Sequence, residues 1–130
     1  MNSADTPNAA RLRKSMRRYR GVHLVCFGTP TAEEEHARLA AHGFAPQPLV
    51  HLERKVEDGM KVRFSVVRAA PGKMPEGRVQ YVQHLAPEAI WRPAHLRHRN
   101  GVLGLAAAYV VAANPVRTAA RWARFMGALP

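Results

Sequence analysis

Residues 79–101 read VQYVQHLAPEAIWRPAHLRHRNG. In the first half Val79, Tyr81, Gln83 and Leu85 alternate with Gln80, Val82 and His84, so the period of two predicts a β-strand with polar groups on both faces. Pro87 suits the first position of a short helical turn holding Glu88 and Trp91, Pro93 ends that turn, and Asn100-Gly101 marks a tight turn. A strand ending in histidine and running into a loop of Pro, Trp and His forms one wall of a pocket. The plainer alternative is a strand-end histidine capped by a loop whose Trp packs on it.

Upstream, Pro48–Lys55 and Lys61–Arg68 are two strand-like runs joined by Glu57-Asp58-Gly59-Met60, and Asp58-Gly59 signals a hairpin. In the second run Val62, Phe64 and Val66 oppose Lys61, Arg63, Ser65 and Val67, the pattern of a half-buried antiparallel strand. Earlier, Gly21–Gly28 (GVHLVCFG) reads as a buried strand with His23, Val25 and Phe27 on one face and Cys26 on the other, within the core. A helix follows, begun at Thr29-Pro30 or by the capping pattern Thr31 to Glu34, and closed by Gly43. Its Glu33, Glu34 and Glu35 favour the helix dipole and need no catalytic role. Residues 21–85 thus read strand, helix, strand, strand, strand.

Downstream the pattern restarts. Val102–Ala113 reads as a strand, Asn114-Pro115 opens a helix, and Gly127 closes it. Thr29-Pro30 and Asn114-Pro115 take equivalent places in two units, as do Gly43 and Gly127. These patterns predict an α+β fold: a βαβββ module with a curved, antiparallel-rich sheet at 21–101, then the first βα of a second, incomplete module at 102–130.

The 130 residues suffice for one domain with a sizeable core. The formal charge of +11 is concentrated in residues 1–20, where Arg11, Arg13, Lys14, Arg17, Arg18 and Arg20 face Asp5 alone. That segment reads as a flexible, solvated arm, although Leu12, Met16 and Tyr19 recur at helical spacing. It lacks the apolar core of a secretory signal, and the single Cys26 fits a reducing cytoplasm. There is no P-loop, dinucleotide fingerprint, GxSxG or CxxC to support nucleotide-cofactor or triad chemistry.

The βαβββ order, its restart, GVHLV at 21–25 and the 79–105 run, with its Gln83-His84, Pro87-Glu88, Trp91 and Asn100-Gly101, resemble the glyoxalase-like subgroup of the vicinal oxygen chelate superfamily. Arg99 departs from the Pro usual in that turn, and the second unit's first strand offers no histidine. The resemblance implies two modules pairing around a small-molecule pocket; with one whole module and the start of another, the expectation is either a homodimer through module pairing or a fragment of a longer ancestor. It further implies His23 and His84 as ligands of a divalent Fe, Mn, Ni or Zn ion, Glu88 as an acid or base at the mouth, and Tyr81, Gln83 and Trp91 against the ligand.

Two functions stay open. One is a metal-dependent lyase, isomerase or dioxygenase, or a catalytically degenerate relative of one. The other is a cofactor-free protein that sequesters an apolar or aromatic ligand, as bleomycin-resistance proteins do. The basic arm alone favours nucleic acid, and no apolar run suggests a membrane span.

Overall fold

The computed structural model describes residues 7–56 and 59–128. Four strands, β1 (Leu24–Gly28), β2 (Val50–Lys55), β3 (Lys61–Arg68) and β4 (Arg78–His84), form one mixed sheet in the order β1-β4-β3-β2. β1 and β4 are parallel, while β2 with β3 and β3 with β4 are antiparallel. The helices are α1 (Pro7–Arg18), α2 (Ala32–Ala41), the one-turn α3 (Pro93–Leu96) and α4 (Pro115–Met126), with a 3₁₀ turn at Pro87–Ala89. With α2 between β1 and β2, the strand-helix-strand-strand-strand order follows the local periodicity.

Local chemistry accounts for the helix ends. Thr31 takes the N-cap position of α2 but its side chain makes no capping hydrogen bond, unlike the expected Thr31 to Glu34 pattern; Gln83 of β4 serves instead, its Oε1 accepting from Ala32 N at 3.1 Å while its Nε2 donates to Pro30 O at 2.6 Å. Asn114 caps α4, its Oδ1 accepting from Arg117 N at 2.9 Å, with Pro115 in the first turn. Gly127 ends α4 at φ 68°, a left-handed conformation that glycine adopts without a Cβ penalty.

One face of the sheet carries the main core. Phe27, Tyr81 and Val67 lie level with one another across β1, β4 and β3, and with Val79 they pack against Ala32, Leu39 and Phe44 and against Phe125 of α4. Phe125 stacks on Tyr81 at 5.3 Å and meets Phe44 edge-on at 5.3 Å. A smaller cluster joins Val62 to Ala86 and Ala89 under the 3₁₀ turn. β3 is buried on both faces over Ser65–Val67, more fully than its half-buried sequence pattern implies, because α2 and the turn cover opposite sides.

Three expectations change. Residues 7–18 of the arm form α1, since Leu12 and Met16 share a helical stripe, but both remain exposed. Val102–Ala113 is not a strand: among the described residues it has no ladder partner, and Tyr109 and Val111 are 95% and 98% exposed. A strand exists only through pairing, and a continuous apolar run alone does not supply it. Cys26 is not a core thiol; it lies exposed on edge strand β1, where Gln80 Nε2 approaches its Sγ at 3.3 Å. The hairpin between β2 and β3 is present, with Gly59 at φ 80°, while Glu57 and Asp58 of its turn lie outside the described residues.

Candidate functional site

Two adjoining cavities open at the end of the sheet where β1 and β4 begin. The first, of about 540 Å³, lies between α1 and this end of the sheet; Arg11 and Lys14 line it from α1, and Arg68, Arg78 and Gln80 line it from the strands. The second, of about 480 Å³, is more apolar and is walled by Val22, Leu24, Tyr109, Val111 and Trp122. His23 borders both. Its ring lies 4.4 Å from that of Tyr19, whose hydroxyl donates to Val22 O at 2.8 Å and so fixes the chain entering β1.

The sheet register sets the polar wall. Gln80 sits level with Cys26 on one side and Arg68 on the other, and Arg78, two residues earlier on β4, shares that face. Burial, then the nearby charges of Arg78 and Arg11, hold the Arg68 guanidinium below its ordinary pKa. Arg68 Nε, Gln80 Oε1 and His23 Nε2 are all buried without a hydrogen-bond partner. Each such group left unpaired costs about 1–3 kcal/mol, so the fold maintains a cleft edge with unsatisfied donors and acceptors. Among the described residues the one carboxylate in the first cavity wall, Glu76, is engaged from α4 by Arg121, by Thr118 Oγ1 at 3.3 Å and by Trp122 Nε1 at 3.3 Å.

The residues named from sequence fall in separate places. His23 and His84 do not converge: His23 immediately precedes Leu24, which pairs with Arg78 at the start of β4, whereas His84 ends that strand. The length of β4 puts them about 20 Å apart. His84 instead contacts Trp91 edge-on at 6.0 Å and Phe64 at 6.5 Å, with its Nδ1 buried and unpartnered. Glu88 lies exposed on the 3₁₀ turn near this far end, and Trp91 is 59% exposed. Tyr81 is buried at 5% exposure, its hydroxyl donating to Phe125 O at 3.1 Å and accepting from Arg38 Nη2 at 3.2 Å. Gln83 has both polar atoms engaged at the start of α2.

A single divalent ion therefore does not fit His23 and His84 together within one chain, and the described residues bring no three His, Cys, Asp or Glu side chains into a metal-ligating group. Arg68, Arg78 and Gln80 are the site residues that sequence reasoning passed over. Arg78 and Gln80 alternate along one strand and Arg68 ends another, but the pairing of β3 with β4 that joins them was not visible in the sequence.

The topology defines a small α+β domain with a cleft at one end of its sheet. The sequence profile described as a glyoxalase-like domain matches residues 1–126, and the chain belongs to that family, within the vicinal oxygen chelate superfamily. No match is found among curated proteins or among solved structures. No described helix is long and apolar enough to cross a membrane.

Proposed function

We propose that this glyoxalase-like domain binds a small molecule in the joined cavities beneath α1, with His23 at their partition. The supporting observation is the wall itself: a cleft of about 540 Å³ edged by Arg68 Nε, Gln80 Oε1 and His23 Nε2, each buried and unpartnered. A volume of that order accommodates a ligand of metabolite or drug size. The adjoining apolar cavity, with Val22, Leu24 and Trp122, suits the hydrocarbon or aromatic part of the same ligand. This arrangement favours ligand binding over chemistry at a paired His23–His84 metal centre, because those two side chains flank opposite ends of β4.

Fluorescence titration with the uncharged probe N-phenyl-1-naphthylamine tests the reading. Saturable enhancement that is reduced by Val22→Lys, whose wild-type side chain walls the apolar cavity, is the expected outcome. Equal enhancement in wild type and variant would place the probe elsewhere and refute the reading.

A further inference from the structure

We infer that the cleft beneath α1 recognises a small organic anion, one carrying a carboxylate or phosphate with a hydroxyl or N–H group beside it. The inference rests on the small-molecule reading above and specifies the chemistry of its ligand.

The first observation is uncompensated charge. Arg11, Lys14, Arg18, Arg68 and Arg78 all line one cavity, and none forms an ion pair with a described carboxylate. Glu76, the acid in that wall, is already held by Arg121. Like charges gathered without a counter-ion repel one another, and an anion placed among them relieves that repulsion. Arginine supplies planar paired donors that match carboxylate and phosphate oxygens, and Arg68 and Arg78 present such donors from neighbouring strands.

The second observation is an acceptor beside the donors. Gln80, only 8% exposed, lies level with Arg68 across the ladder, and its Oε1 is buried and unpartnered while its Nε2 is directed to Cys26 Sγ. A bare anion satisfies Arg68 and leaves Gln80 Oε1 unmet; an anion with an adjacent hydroxyl or N–H satisfies both. The placement also favours a small ligand over nucleic acid. Arg11, Lys14 and Arg18 are exposed at the mouth where a duplex phosphate can reach them, but Arg68 Nε and Gln80 Oε1 lie out of solvent within the cleft.

Isothermal titration of the full chain with malate, succinate and inorganic phosphate, at fixed ionic strength in chloride buffer, tests this. Malate and succinate differ in the hydroxyl, and malate and phosphate in the type of anion. At least one anion is expected to bind saturably, with malate tighter than succinate. Arg68→Gln and Arg78→Gln should each weaken binding at least about tenfold, with Arg68→Lys intermediate. Arg54→Gln, on the exposed part of β2 outside the cleft, should bind like wild type. Circular dichroism checks that each variant is folded, and Arg68→Lys with Arg78→Gln keeps the test decisive if Arg68→Gln is not.

Equal losses in Arg54→Gln would mean diffuse charge attraction and overturn the inference, as would succinate binding as tightly as malate. A duplex oligonucleotide that binds more tightly than malate and is weakened as much by Arg68→Gln would also overturn it. If the uncharged naphthylamine probe binds the cleft but no anion does, the small-molecule reading stands and the anion inference falls. If neither binds, both fall.

Discussion

Tyr81 shows how one position can serve the core while reading as a pocket residue. Its ring is stacked on Phe125, and its hydroxyl joins β4 to the last turn of α4 through Phe125 O and to α2 through Arg38. Tyr81→Phe keeps the stack and deletes the hydroxyl, so a loss of about 1–2 kcal/mol is expected in urea denaturation at neutral pH. Burial, with a further push from Glu35, raises the Tyr81 pKa above its ordinary value, against an opposing pull from Arg38. A raised phenol favours the protonated form in the folded state. Its contribution is complete below the unfolded pKa of about 10 and is lost as pH rises through the higher folded value. The stability gap between wild type and Tyr81→Phe should therefore narrow as pH rises above about 10; a constant gap would show that the phenol titrates alike in both states.

Among the elements, α4 is held by specific polar contacts as well as by packing. Arg38 of α2 donates to Arg124 O at 3.0 Å and to Phe125 O at 2.6 Å, and Glu76 engages Arg121 and Trp122. Phe125 is fully buried, so Phe125→Ala should destabilise by about 4 kcal/mol, against less than about 1 kcal/mol for the half-exposed Met126→Ala. Glu76→Ala leaves Arg121 without its counter-charge in a mostly buried setting, and a loss of about 3 kcal/mol is expected by thermal or urea unfolding. The helix α1 contrasts with α4. Its Leu12 and Met16 face solvent, so removal of residues 1–18 should shift the unfolding midpoint little. A large fall in midpoint would show that α1 stabilises the sheet.

At the scale of the whole molecule the salient feature is an exposed apolar segment outside the sheet near a strand that is an edge among the described residues. β1 is an edge strand, and of the irregular segment Val102–Val111, which has no ladder partner among the described residues, Ala108–Val111 line a cavity with Leu24 and Val25 of β1, while Leu103, Leu105, Tyr109 and Val111 are exposed. Exposed apolar, β-competent segments and open edges recruit each other between chains. We expect concentration-dependent dimerisation in sedimentation equilibrium, weakened in Tyr109→Lys and Val111→Lys; a monomer at all concentrations would refute this.

The sequence by itself determined the elements that depend on local chemistry. The period of two marked β1 to β4, the Asn114 cap and the glycines at 43 and 127 bounded α2 and α4, and GVHLV with the 79–105 run carried the family resemblance. Those signals are legible because each concerns residues within a few positions of one another. Only the tertiary structure decided what depends on pairing. The parallel register of β1 with β4 separates His23 from His84, and the docking of α4 takes Tyr81 into the core. The ladder between β3 and β4 sets Arg68 beside Gln80, and α1 brings Arg11 to them. Val102–Ala113 has the continuous apolar run of a buried strand but no strand structure among the described residues, because a ladder needs a second backbone and no local pattern supplies one.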